Sequence, residues 1–405
     1  MYLKLAWRNL WRNRRRTIIT VSSVTFAVLF SVLTLSVNRG SHNNMIDNMA
    51  RFHTGFIQVQ DALYEDEPSL DNTLLFDDEL ASQILQSHQE IDFIVPRIET
   101  FMLAAGENQT RGAMVSGVDL QQENRLNDLE THLVEGNFFR EERSTVIGVG
   151  LANRLNVVLN DTLVLLGQGR FGMTAAEKYP IGGLVDHPIT EFNDQIVYLK
   201  LQDAQYLLSA EKFVTSVLVI PSEVGYTDEV AEALKTELED DVFNILTWPE
   251  MMPELLQAIE FDRAGGYVML GILYVVIAFG LFGTILTMTL ERLREFGVLL
   301  SIGVQRFQLI SILFIETVII GFIGVLMGCG LGFLMTYYFH LNPPELSGDA
   351  AETMLEMGFE PVLPFSMAPD IYYTQGIIIF LLSLGICLYP AIKIIRLNIL
   401  DAART

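Results

Sequence analysis

Phosphate binding, zinc chemistry and nucleophilic catalysis each require a recognisable set of side chains, and the first question is which of them this 405-residue chain carries. A loop that cradles nucleotide phosphates closes on Gly-Lys-Ser/Thr. None of the six lysines (Lys4, Lys178, Lys200, Lys212, Lys235, Lys393) follows a glycine. The six histidines (His42, His53, His88, His132, His187, His340) contain no HExxH and no pair four residues apart, the spacing that presents two imidazoles to one zinc ion. Ser116-Gly117 and similar dipeptides lack the G-x-S-x-G elbow that exposes a nucleophilic serine. Cys329 and Cys387 lie inside apolar runs, without the partners of a metal site. The chain is read as a non-enzyme with no metal and no cofactor of its own, so any energy source lies outside the polypeptide.

What remains is chemistry of contact and packing. The segment Glu291-Arg292-Leu293-Arg294-Glu295-Phe296-Gly297-Val298-Leu299-Leu300-Ser301-Ile302-Gly303 is charged at its start and amphipathic after it. Helical spacing groups Phe296, Leu299, Leu300 and Ile302 toward the bilayer or the ends of flanking helices, and Gly303 is placed to end the helix. Such an element can pass a push from a soluble partner to the segments on either side. Gly324, Gly328 and Gly332 recur every four residues, a spacing that lets a second helix approach closely. That second helix belongs either to the same chain or to another copy; both fit the glycines. Glu316 is an acid inside an apolar run, which marks function by default, or else reaches the interface or an arginine of the preceding loop.

Four long apolar runs must position these residues: about 17–37, 265–290, 309–339 and 371–392. Each is long enough to cross about 30 Å of hydrocarbon as a helix. Of the 26 basic residues, Lys4, Arg8, Arg12, Arg14, Arg15 and Arg16 precede the first run, Arg292, Arg294 and Arg306 separate the second and third, and Lys393, Arg396 and Arg404 follow the fourth. Basic flanks stay in the cytoplasm, so both termini and the 291–308 loop are expected inside. All but four of the 49 acids (Glu291, Glu295, Glu316, Asp401) then face outward, and the net charge of −23 belongs to the outer side, which excludes nucleic acid as a partner there. The first run has 21 uncharged residues and ends in SVNRG rather than in a small-x-small cleavage site, so it is read as a retained span.

The boundaries that follow are a cytoplasmic amphipathic helix 1–16, spans at the four runs, an extracytoplasmic domain 38–264, a cytoplasmic segment 291–308, an acidic outer loop 340–370 (Glu345, Asp349, Glu352, Glu356, Glu360) and a cytoplasmic tail 393–405. In the N-terminal segment Leu3, Trp7, Leu10 and Trp11 share one helical face and Lys4, Arg8 and Arg12 another, the pattern of a helix lying on anionic lipid. It anchors the chain or touches a partner. Within the outer domain, strands are predicted at 56–60, 145–148, 162–166, 195–199 and 216–220, and helices at 77–88, 151–155 and 226–238. The domain is therefore α+β. Pro390 is expected to bend or end the fourth span.

The opening LAWRNLWRNRRRT, the loop LERLREFGVLLSIGVQRFQL, the glycine-rich third run and the ending YPAIKIIRLNILDAA together resemble the FtsX-like, MacB-type ABC transporter permeases. VPRIE, VSGVDLQQE, VEGNFF, VIGVGLANRLNV and KLQDAQYLL resemble, within that family, the lipoprotein-releasing (LolC/LolE-like) branch, although Asn160-Asp161 stands where the family usually has Gly-Asp. The resemblance implies an α-helical membrane protein with four transmembrane helices plus a large α+β extracytoplasmic domain inserted between the first and second spans, the type VII or mechanotransmission architecture. It implies a bacterial inner membrane, two cytoplasmic ABC ATPase copies that hold the ATP and Mg, and a second permease subunit, the same chain or a homologous one. Glu291, Arg292, Arg294, Glu295, Phe296, Gly297, Leu300 and Gly303 would form the ATPase-coupling helix. Lipoprotein or amphiphilic cargo would be passed to a periplasmic carrier or adaptor. The acyl chains would meet Val28, Phe30, Leu33, Tyr267, Leu270 and Tyr274, residues that equally serve as ordinary span packing.

Three functions compete at this point: extraction of a lipoprotein or another amphiphile, force transmission to an efflux or cell-wall partner, and ligand sensing by a receptor. The third needs an inner signalling domain, and the inner segments are too short to pack one.

Overall fold

The computed structural model of the chain describes residues 2–12, 14–139, 143–238, 241–349, 351, 354 and 361–396, and not the side chains of Tyr2, Met288, Leu293 and Arg294. Glu352, Glu356, Glu360, Asp401 and Arg404 lie outside the described residues. The chain divides into two units: Met1–Asn43 with Ala258–Glu345 and Val362–Thr405, and Asn44–Gln257 with Leu346–Pro361.

The first unit is helical. An N-terminal helix, Tyr2–Arg12, precedes four helices long and apolar enough to cross a membrane. The first is Arg14–Met49, the second Pro253–Glu291, the third Arg306–Leu341 and the fourth Pro369–Ile386, continued after a break by Leu388–Ile395. The third helix, at 36 residues, is about 54 Å long and overreaches the hydrocarbon it would cross. The fourth breaks at Cys387, three residues before Pro390, because a proline ring crowds the carbonyls of the preceding turn. Between the second and third lies the short loop helix Leu293–Ser301, closed at Gly303 with φ +98°, a left-handed conformation that glycine adopts without strain.

The glycines of the third helix pack within this chain. A Cβ on Gly324 would lie 2.6 Å from the Cβ of Val24, and one on Gly328 2.6 Å from the Cβ of Val28 and 2.8 Å from the carbonyl of Thr25. Gly332 faces Val32. With no side chain between them, the first and third helices come close enough for Thr25 Oγ1 to donate to the carbonyl of Gly324 at 3.3 Å.

The second unit is an α/β domain. Among the described residues its strands are β1 (Ile57–Asp61), β2 (Leu74–Leu75), β3 (Ile91–Ala105), β4 (Thr110–Val118), β5 (Leu133–Gly136), β6 (Thr145–Gly148), β7 (Thr162–Gln168), β8 (Thr174–Val185), β9 (Ile196–Lys200), β10 (Phe213–Val214), β11 (Ser216–Pro221) and β12 (Phe243–Thr247). Ten form one mixed sheet in the order β12-β1-β11-β3-β4-β9-β6-β8-β5, with β7 bridging β3 and β8. β4 runs parallel to β9 and β6 to β8; the other pairings are antiparallel. β3 and β4 pair from Arg97 opposite Val118 to Ala105 opposite Thr110. Helices Asp78–Ser87, Val149–Leu155, Leu201–Leu207 and Thr227–Glu237 bury Ile84, Leu151, Ala204 and Leu234 in a core with Ile98, Val115 and Val197 of the sheet. Asp77 caps the first of these, its carboxylate accepting from the amides of Glu79 and Leu80 at 3.1 and 3.0 Å.

Candidate functional site

The loop helix has two faces of different character. Phe296 and Leu300 point inward, 6% and 9% exposed, against Leu309, Leu313, Cys387 and Ile394. Gly297 is buried beside them. The opposite face carries Val298, Leu299 and Ile302, with Phe307 just after it, and all four are exposed. Leu299 and Ile302 thus part from Phe296 and Leu300: Leu309, Leu313, Cys387 and Ile394 cover only the Phe296–Leu300 side of the helix, and Ile302 lies just past its end. The result is a short, rigidly backed element that presents apolar side chains outward.

Charge fixes this element at its base. Arg292 and Glu316 are 3% and 1% exposed and meet side by side. Nη1 of Arg292 donates to Oε2 of Glu316 at 2.5 Å and Nη2 to Oε1 at 3.3 Å. Asn9 Nδ2 adds a third bond to Oε1 at 2.9 Å, which ties in the N-terminal helix. The guanidinium of Arg292 also sits 5.7 Å over the ring of Phe296 and 3.8 Å from Glu295. Two outer ion pairs run beside it, Arg16 with Glu291 at 2.6 Å and Arg12 with Glu295 at 2.9 Å. The exposed pairs contribute little each; the buried one holds its geometry because losing either partner strands a charge. Arg306 binds the carbonyl of Ile395. Glu316 therefore pairs with the arginine of the preceding loop, and Asn9 is a participant that no residue spacing announced.

The six positions considered for acyl chains separate. Val28 is fully buried at Gly328, and Leu270 is 4% exposed. Tyr274 is half-buried, with its hydroxyl donating to Gln375 Oε1 at 2.6 Å. Leu33 is half-buried, whereas Phe30 and Tyr267 are uncovered, at 57% and 64% exposed. Only these last two present a whole apolar ring outward.

The α/β domain holds a second constellation that the sequence did not reveal. Arg97 of β3 donates through Nε and Nη2 to Glu123, at 3.0 and 2.5 Å, and through Nη1 to the carbonyl of His53 at 2.6 Å. Asn127 completes the carboxylate's bonds at 2.7 Å. His53 belongs to a π-helical turn, Ala50–Thr54, so the pair anchors that turn to the sheet. Nearby His187 packs on Phe52 and Phe192, and burial pushes its pKa down to about 3. No cluster of His, Cys, Asp or Glu able to hold a metal occurs among the described residues.

Comparison with known proteins adds to this geometry. Residues 17–237 match the MacB-like periplasmic core domain and residues 267–399 the FtsX-like permease C-terminal domain. The lipoprotein-releasing system transmembrane protein LolC of Neisseria meningitidis is 20% identical over 79% of this chain and 76% of its own length. The macrolide export ATP-binding/permease protein MacB of Burkholderia pseudomallei is 22% identical over 84% of this chain; the chain spans 52% of that protein. Among solved structures, the periplasmic region of MacB from Actinobacillus actinomycetemcomitans aligns over 53% of this chain and 96% of its own, with a TM-score of 0.36 and 15% identity.

Proposed function

The chain belongs to the FtsX-like, MacB-type family of ABC transporter permeases, and on that basis we propose that it is a membrane subunit worked by a separate cytoplasmic ATPase, which draws lipid-anchored proteins or another amphiphile from the outer leaflet. Both termini and the loop helix lie in the cytoplasm, and the α/β domain lies in the periplasm, a reading supported by the arginines at the helix ends. Two ATPase copies carry the ATP and Mg, and a second permease subunit completes the assembly. The observation that carries this reading is the loop helix itself: Phe296 and Leu300 are locked inward, while Val298, Leu299, Ile302 and Phe307 stand uncovered. An exposed apolar ridge on a rigid base fits a hydrophobic groove in a soluble partner. Displacing the ridge then displaces the second and third helices, because Arg292 and Glu316 bind its start to the third. Supporting an amphiphilic cargo is the likeness to LolC, whose name describes lipoprotein release; Phe30 and Tyr267 are the side chains offered to it.

The likeness to MacB favours a second reading, in which the same stroke drives an efflux partner. One experiment tests the shared core. The purified chain hydrolyses no ATP alone, and hydrolysis coupled to cargo release appears on adding its ATPase. V298D/I302D, altered only at exposed positions, abolishes that coupling with the melting temperature unchanged. Coupling that survives in V298D/I302D overturns the assignment. Release of a lipidated protein from vesicles, against none of it, separates the two readings.

A further inference from the structure

A cleft of about 1050 Å³ opens between the arginine-bearing start of the first long helix and the Glu291 end of the second. Arg12, Arg14, Arg15 and Arg16 line one end of it, and Phe279 and Gly283 line the wall beyond. The two parts differ in what they can hold. Arg12 and Arg16 are engaged by Glu295 and Glu291. Arg14 stacks on Trp11 with its guanidinium 5.2 Å from the ring, and neither it nor Arg15 has a carboxylate partner among the described residues. The deeper wall is apolar in effect. Thr284 and Thr287 spend their hydroxyls on their own helix, at the carbonyls of Gly280 and Gly283, at 2.9 and 2.8 Å. A Cβ on Gly280 or Gly283 would meet nothing within 4 Å, so none of the described residues fills this space.

We propose that this cleft is a binding site for one anionic phospholipid of the surrounding bilayer, its phosphate held by Arg14 and Arg15 and its acyl chains lying along Phe279 and Gly283. The charge of the cleft selects the occupant. Guanidinium groups bind phosphate through paired donors, and arginines at a membrane surface attract anionic headgroups. A second copy of this chain is the competing occupant, and its symmetry counts against it. A two-fold interface sets a patch against itself, so each basic rim would meet an equal rim, and like charges placed together are costly. A phospholipid satisfies both halves of the cleft at once.

The test uses the full chain in detergent micelles, with native mass spectrometry to count bound lipid on titration with phosphatidylglycerol or phosphatidylcholine. Phosphatidylglycerol is expected to be retained preferentially. R14Q/R15Q is expected to weaken its binding about thirtyfold, whereas R8Q, an arginine outside the cleft, leaves it unchanged. All these residues are exposed, and equal melting temperatures confirm that the variants fold. G283L, which fills open space, is expected to lower retention of both lipids alike. Equal binding of the two lipids, an equal loss in R8Q, or complete competition by inorganic phosphate would overturn the proposal. So would efficient disulfide formation between copies of G283C in membranes, which would give the cleft to a second copy. No step uses ATP, so a negative result leaves the ATPase-coupled function standing.

Discussion

Arg292 and Glu316 show how much can depend on one contact. Removing either leaves the other charged, buried and without its partner, which typically costs about 3–5 kcal/mol. R292A is therefore expected to lower the melting temperature sharply and to free the loop helix. R292M/E316L, apolar on both sides, should recover most of the lost stability, and melting curves in detergent distinguish the two. The exposed neighbours behave differently. E291K/E295K turns attraction to Arg16 and Arg12 into repulsion at a surface where each pair contributes about 0–1 kcal/mol. It should uncouple ATP hydrolysis from release while leaving the fold intact, and unchanged release would refute the coupling role. His187 gives a pH dependence. Its ring is pushed from the usual 6.5 to about 3 by burial, so between those values the unfolded chain binds a proton that the folded domain refuses. Stability is full above about pH 6.5 and falls as pH falls toward 3. H187N should flatten that loss when melting temperatures at pH 7.5 and 4.5 are compared.

Elements differ in how plainly the sequence declares them. The alternation around Ile57–Asp61 and the β-branched runs of β6, β7, β9 and β11 stand within a residue or two of where they were predicted, and Asp77 caps the helix expected from its acids. β3 and β8 were not legible, although they are the longest strands. Pro96 lies within β3, and Pro180 with Gly182 and Gly183 within β8, residues that ordinarily end a strand. Long-range pairing outweighs local preference in both, since β3 has β11, β4 and β7 as neighbours. The loop helix was legible as an element but not by face, because Leu299 and Leu300 are chemically alike and only packing tells them apart. The glycine repeat was legible as packing without its partner, which the first helix now supplies. Ala at Gly328 would drive a Cβ into Val28 and Thr25, and a forced contact of this kind costs about 1–3 kcal/mol. Ala at Gly330, where nothing lies within 4 Å, should be neutral or stabilising by up to about 1 kcal/mol. Melting of G328A against G330A checks the difference.

Across the whole molecule, charge and hydrophobicity are partitioned by segment, and this partition predicts orientation. In a cysteine-free background (C329S/C387S), S222C in the α/β domain should react with an impermeant maleimide in spheroplasts. S301C at the end of the loop helix should react only after the membrane is permeabilised; the reverse pattern would invert the topology. The buried ion pair adds a constraint on how such a chain is made. Arg292 and Glu316 stand 24 residues apart, on either side of the loop helix, and an unmatched charge carried into lipid by a helix costs up to about 2.5–3.5 kcal/mol. Neither residue is neutralised until ribosomal synthesis has delivered the other. Glu316 therefore enters lipid at least cost where Arg292, already made, stands at the end of the second helix to meet it, and the second and third helices should leave the insertion machinery together as a hairpin.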